Sequence, residues 1–305
     1  MTQTLFAAPS TMFSLPLSHD FQNARAAVVG IPFDCGLSST RFGSRMGPNA
    51  IRHASVLTRE LLQDADIDAL DRVIDAGNVV IASGAIHSAF DAIEQAMGVV
   101  LDAGCVPLTL GGDGSVSLPQ MRAIHKAHGP VAVLHFDAHT DSAKLATNDH
   151  YDNAIQFTHA AHESLIDLSH ALHIGTRAPV NAANDIAYTR SLGYEVIPYD
   201  VVSDWGEEKL IAHMRERMRG QKVYLCFDMD FFDPSVAPGV QTPTPGGALA
   251  AEGLALVRGL KGLDIVALDI NTVTPLHDPA GVTATLAASV AGEMLALLKP
   301  RPGLG

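Results

Sequence analysis

The chain has 305 residues, of which 47% are hydrophobic and 17% charged, and its formal net charge is -13 at pH 7. That balance excludes a disordered chain and fits one large α/β domain with a sizeable core. The acidic excess argues against nucleic acid as a partner, because phosphate binding needs clustered Lys and Arg. No uncharged apolar run reaches the roughly 18 residues a membrane helix needs, so no membrane partner is expected. The cysteines Cys35, Cys105 and Cys226 are far apart, with no CxxC pair. Neither a disulfide framework nor a zinc knuckle follows from them, and reduced thiols in a cytoplasmic protein are expected. The first residues lack the basic and apolar regions of a secretory leader.

Strand-length apolar runs alternate with helix-length amphipathic stretches along the chain. Strands are expected at Ala26–Ile31 and Asn78–Ala82, then a helix over Ala85–Ala103. Cys105–Leu110 reads as a strand ending in Gly-Gly-Asp-Gly, and Leu118–Ala127 as a helix. Val131–Phe136 is a strand ending in Asp-Ala-His-Thr-Asp. A strand at Ala171–Gly175, a helix over Asn181–Leu192, a short strand at Val196–Pro198 and a helix over Glu207–Arg219 follow. Lys222–Phe227 is a strand ending in Asp-Met-Asp, and Asp233–Gly247 is a long shaped loop. Leu263–Ile270 is the last strand and Val282–Leu298 the last helix. Continuous apolar strands separated by helices imply a mostly parallel sheet covered on both faces, a three-layer α/β/α fold. Such sheets bind ligands beyond the carboxyl ends of their strands, where three polar clusters lie here. No repeat or internal boundary is visible, so residues 1–305 read as one domain with 1–24 as an N-terminal extension.

In Asp137-Ala-His139-Thr-Asp141, alternate side chains of an extended segment point the same way, so the three can converge on one spot. Two carboxylates and an imidazole suit manganese, nickel or zinc. Asp228-Met-Asp230 again sets two acids on one face. Acids buried at a strand end repel one another unless a proton or a cation compensates. Four aspartates and a histidine at two strand ends make a metal the economical account. In Gly111-Gly112-Asp113-Gly114-Ser115 the glycines permit a sharp turn with close backbone approach, while the Lys-Ser/Thr of a phosphate loop is absent. His135 precedes the metal cluster on its strand and reads as a core histidine or one supporting a ligand. Cys226 reads as packing and not as a reactive thiol.

The spacing of these clusters resembles that of the ureohydrolases, the relatives of agmatinase and arginase. That family carries GGDHS, then DAHxD, then SxDxDxxDPxxAPGxxTPxxGG. The matches here are GGDGS at Gly111–Ser115, FDAHTD at Phe136–Asp141 and FDMDFFDPSVAPGVQTPTPGG at Phe227–Gly247. Gly30–Arg52 resembles the start of agmatinase-type members, and Asp278–Ala288 is also similar to the family. The resemblance implies an arginase-like fold, a two-manganese (sometimes nickel) centre, of which one or two ions per chain are expected here, and hydrolysis of a guanidino compound to urea and an amine. It also implies trimers or hexamers. Carried over by position, Asp137 and Asp228 would bridge two ions, His139 and Asp230 would complete one, and Asp141 would serve the other together with the histidine of GGDHS.

That histidine is Gly114 here, so one ion loses its nitrogen ligand. Asn153 stands where agmatinase-like members carry a histidine thought to shuttle protons, and an amide does not titrate. Thr272 stands where the family has an acid that pairs with the guanidinium. Asp269, Asp278 or Asp152 are the nearby acids that could substitute. Two expectations follow. The chain is a metal-dependent hydrolase of C–N bonds in a guanidino or amidine substrate altered from arginine or agmatine. Alternatively it is a non-catalytic or weakly active subunit that assembles with an intact paralogue, as in hydrolases of the metformin type. A deacetylase of related fold fits less well, for lack of the upstream histidine pair.

Overall fold

The computed structural model describes residues 10–35, 40–62, 67–82, 85–147, 149–177 and 182–301. The chain alternates strand and helix from end to end. Strand β1 is Ala26–Gly30, helix α1 Gly47–Leu62, β2 Val73–Asn78 and α2 Ile86–Asp102. Then come β3 (Val106–Leu110), α3 (Ser117–His128), β4 (Val131–Phe136) and α4 (Gln156–His162). The second half has β5 (Ile166–Thr176), α5 (Ala182–Leu192), β6 (Glu195–Pro198) and α6 (Tyr199–Arg217). It ends with β7 (Lys222–Asp228), α7 (Ala250–Arg258), β8 (Asp264–Asn271) and α8 (Val282–Leu297). The strands form one sheet in the order β2-β1-β3-β8-β7-β4-β5-β6, and the ladders between neighbours are parallel.

Strand alternation divides the interior into two cores. In β4, Ala132, Leu134 and Phe136 face one side with Val223, Leu225 and Phe227 of β7, against α1, α6, α7 and α8. Val131 and Val133 face the other side with Tyr224 and Cys226, against α2, α3 and α4. A sheet buried on both faces needs unbroken apolar strands, which is why these runs show no polar alternation. The segment Pro279–Leu297 is long and apolar enough to cross a membrane, but most of it is buried inside the protein. It is a core helix against α1 and α7.

The helix expected at Ala85–Ala103 is α2, and that expected at Leu118–Ala127 is α3. Asn181 of the helix expected over Asn181–Leu192 lies outside the described residues. Helix α6 begins at Tyr199, ahead of Glu207, and bends at Gly206, whose φ is +70°. The strand expected at Asn78–Ala82 is a correction. The strand is Val73–Asn78, and Val80 of the apolar run is 92% exposed.

The cause is Asp75, a buried acid that breaks the apolar pattern of β2. Arg52 of α1 grips it with two hydrogen bonds, Nε to Oδ2 at 2.7 Å and Nη2 to Oδ1 at 2.9 Å. The backbone N–H of Met12 donates to Oδ2 at 2.7 Å and that of Gly77 to Oδ1 at 2.8 Å. The pair thus ties α1 and the N-terminal segment to the sheet edge, and Met12 and Phe13 are buried in the core. Removing one partner of a buried pair strands the other charge. Arg52→Ala is expected to lower stability by about 3–5 kcal/mol, read as a shifted midpoint of urea unfolding. A shift equivalent to less than about 1 kcal/mol, the worth of a surface pair, would contradict this account.

Candidate metal centre

The central strands β3, β8, β7 and β4 lie side by side and end at the same edge of the sheet. After β3 the chain turns through Gly111–Ser115. A Cβ on Gly112 would fall 1.4 Å from the carbonyl oxygen of Phe33, so only glycine lets the two backbones meet. The Asp113 carboxylate braces this loop, accepting from the N–H of Cys35 at 2.6 Å and of Ser115 at 3.1 Å. It is a structural anchor. The next residue faces the acids: a Cβ on Gly114 would stand 3.0 Å from Asp141 Oδ2 and 2.7 Å from Gln156 Nε2. Gln156 Nε2 itself donates to Asp141 Oδ2.

Asp137, Asp141, Asp228 and Asp230 are all buried at this edge. His139 Nδ1 lies 3.1 Å from both Asp137 Oδ1 and Asp230 Oδ2. Its side chain is one-quarter exposed, so this edge of the cluster opens outward. Backbone donors hold the carboxylates in place. The His139 N–H binds Asp137 Oδ1 at 2.6 Å, the Ala138 N–H binds Asp230 Oδ1 at 3.0 Å, and the Asp230 N–H binds Asp228 Oδ1 at 2.7 Å. Thr272 Oγ1 donates to Asp228 Oδ1 at 2.6 Å. Thr272 has φ +67° and Asp141 φ +47°. A left-handed β-branched residue is strained, and such strain persists where the surroundings over-determine it.

Burial, with repulsion from Asp230, pushes Asp137 above the ordinary carboxylate range. Burial and Asp137 push Asp141 well up, and burial and Asp230 do the same to Asp228. Burial opposes ionisation of Asp230 too, but His139 and the Ala138 N–H overcome it and hold Asp230 low, at about 2. Burial also disfavours a charged His139, yet Asp230 and Asp137 raise it well above its ordinary value. So many raised carboxylates in one place describe a site short of positive charge.

Two overlapping groups could hold a cation. One is Asp137, His139 and Asp230; the other is His135, Asp137 and Asp141; within each group the ligand atoms lie within 4.8 Å of one another. The donors are oxygen and imidazole nitrogen, which suit a divalent transition ion. The single spot expected for Asp137, His139 and Asp141 is thus two adjoining spots that share Asp137.

Residues 24–296 match the arginase family model. The chain belongs to the arginase family. Guanidinobutyrase of Pseudomonas aeruginosa is 37% identical over 299 residues, covering 96% of this chain and 93% of its own. The mitochondrial agmatinase of Gallus gallus is 35% identical over 290 residues, covering 94% and 85%. Among solved structures, proclavaminate amidino hydrolase of Streptomyces clavuligerus superposes with a TM-score of 0.89 at 33% identity, covering 96% of this chain and 98% of that one. These neighbours carry the three-layer α/β/α fold expected for the chain, and an agmatinase-like branch accords with the names.

Two of the three residues that depart from the family's motifs meet at one cavity of about 360 Å³. Asn153 and Thr272 line it beside His139, Asp141, Asp228 and Asp230. None of the acids considered as substitutes lines it. Asp269 is fully buried, accepting from Thr109 Oγ1 and Ser117 Oγ at 2.6 Å each. Asp278 caps α8 through the N–H groups of Thr283 and Ala284 at 2.8 and 2.9 Å. Asp152 Oδ1 accepts from the Ala154 N–H at 2.7 Å. Apart from the candidate ligands, the acid among the described lining residues is Asp185, in the first turn of α5. Burial raises its carboxyl above the ordinary value, with His139 pulling the other way. Nothing in the helical pattern around Asp185 marks it out, because its place depends on how α5 docks. Gln156 was equally silent, since Thr158 and His159 make the start of its helix mixed in polarity.

A bound divalent ion must displace the protons held by Asp137, Asp141 and Asp228. Their folded values lie above the unfolded ones, so without an ion the fold loses stability as pH rises from about 4 towards neutrality. Ion affinity should therefore increase between about pH 5 and pH 8, with protons released on binding. Titration calorimetry of manganese in buffers of different ionisation enthalpy reads that release. An affinity independent of pH would contradict the raised carboxylates.

Proposed function

We propose that the chain is a metal-dependent hydrolase of a C–N bond in a guanidino or amidine compound, releasing urea or a substituted urea and an amine. The observation that carries this reading is the set of four buried aspartates and His139 beside a small-molecule-sized cavity. On this reading Asp137, His139, Asp141, Asp228 and Asp230 hold one or two ions, manganese foremost and nickel as the alternative. A divalent ion there supplies Lewis acidity and a water acidified enough to act near neutral pH. The chain's own residues orient the substrate. The Thr272 hydroxyl is engaged with Asp228 and Asn153 offers an amide, so neither neutralises a guanidinium.

The cavity's charge bears on the substrate. Among the described lining residues the one arginine, Arg177, donates from Nη1 to the Gly175 carbonyl and from Nη2 to those of Asp230 and Thr244. Its guanidinium is committed to backbone oxygens. Asp185 meanwhile presents a carboxylate. We therefore favour a substrate whose far end is cationic or neutral over a guanidino carboxylic acid.

A second reading draws on the three replacements Gly114, Asn153 and Thr272, the last two of which line the cavity. The chain would then be a weakly active or silent subunit paired with an intact paralogue. Trimeric or hexameric assembly, with itself or with such a partner, is proposed on either reading. So is a cytoplasmic location, although relatives include proteins named as mitochondrial.

Urea release by the purified chain after dialysis against manganese, then nickel, separates the readings. With agmatine and 4-guanidinobutyrate as probes, kcat/KM should favour the cationic tail by about twofold to fivefold, the worth of one partly exposed ion pair. Asp185→Asn should flatten that preference. The opposite preference would remove the role given to Asp185. Urea release only after co-expression with an intact paralogue would replace the first reading by the second.

A further inference from the structure

Resting on the metal reading above, we infer that His135 is a direct ligand of a second ion, supplying from inside the sheet the nitrogen that position 114 lacks. At the loop after β3 there is no side chain to reach Asp141, and the space a Cβ on Gly114 would enter is bordered by the Gln156 amide. Next to Asp137 stands an imidazole. His135 is fully buried on β4, and its Nε2 lies 3.1 Å from Asp137 Oδ2.

Two features distinguish this contact from an ordinary hydrogen bond. Neither His135 Nε2 nor Asp137 Oδ2 has a hydrogen-bond partner among the described residues, each other included, although both are buried. Two buried polar atoms so close and unpaired are costly unless something binds both. His135, Asp137 and Asp141 each offer a ligand atom within 4.8 Å of the others, which gives one nitrogen and two oxygens around one point.

The other ring nitrogen completes the case. His135 Nδ1 lies 2.8 Å from Nδ1 of the buried His173. One of the two must donate. With the proton on His135 Nδ1, His173 accepts and the His135 Nε2 lone pair faces Asp137 and Asp141. A metal-binding imidazole commonly donates its remote N–H in this way, which fixes its tautomer and orientation. Phe157 packs on the His135 ring at a centroid distance of 4.4 Å and holds its plane. Gln156, the neighbour of Phe157, has an unpartnered buried Oε1, so rotating its amide would turn an oxygen toward the same carboxylates.

The test uses the whole chain, purified alone, stripped with a chelator and reloaded with manganese. Elemental analysis should find two ions in the wild type, one in His139→Ala and one in His135→Asn. Pulsed electron paramagnetic resonance on His139→Ala should show nitrogen hyperfine coupling from a directly bound imidazole, which is lost when His135→Asn is added. The single variant His139→Ala leaves His135 untouched, so this spectrum decides the matter even if His135→Asn folds poorly. A remaining ion without nitrogen coupling overturns the inference, and so does one ion in the wild type that His139→Ala abolishes; both leave the metal reading standing. No ion in the wild type overturns the inference and the metal reading together.

Discussion

Repulsion among four buried aspartates is the constraint on which the rest of this structure depends. Two unit charges about 4 Å apart repel by about 4 kcal/mol at an effective dielectric of 20. Oxygens of Asp137, Asp141 and Asp230 lie at such separations around shared points. His139 offsets one charge. Backbone N–H groups and the Thr272 hydroxyl stabilise the carboxylates without adding a formal charge. The remainder must be met by protons or by cations, and on the proposed function it would be met by the second.

Such a cluster can exist only where the backbone has other reasons to be rigid. The parallel sheet provides them. Its four central strands are paired on both sides and covered by helices on both faces, so their ends are fixed relative to one another. Each contributes something different: β3 the glycine turn, β4 and β7 the acids, and β8 the strained Thr272. A parallel arrangement brings all these ends to one edge, which an antiparallel sheet of the same strands would not do.

Much of this was legible in the sequence because the period of a strand is two. Asp137, His139 and Asp141, and again Asp228 and Asp230, announce themselves by alternate spacing after apolar runs. What was not legible was whatever needed a contact distant in sequence. Asp75 hid β2, because its partner Arg52 sits on a helix that the sequence does not mark. Helices α1, α4 and α7 escaped for a related reason: α1 opens on Gly-Pro, while α4 and α7 are short and rely on the sheet for stability. Asp185 and Gln156 reach the site from helices whose docking, not whose pattern, puts them there. His135 read as a core or supporting histidine, and only the directions of Nε2 and Nδ1 give it more to do.

The departures from the family's motifs then look less like independent losses. Gly114 removes an imidazole from the Asp141 side, and Gln156 places an amide against that same carboxylate. Thr272 exchanges an acid for a hydroxyl and uses it to hold Asp228, keeping the strained backbone while removing one negative charge from the cavity. In each case the scaffold atom stays paired while the charge or the titratable nitrogen goes. Asp141 and Asp228 each keep a side-chain donor, from Gln156 and Thr272, while Asp137 Oδ2 is the buried carboxylate oxygen left without one among the described residues. On the proposed function, those donors belong to a cavity retuned for another ligand, and Asp185 would be the acid from which a cationic substrate takes its orientation.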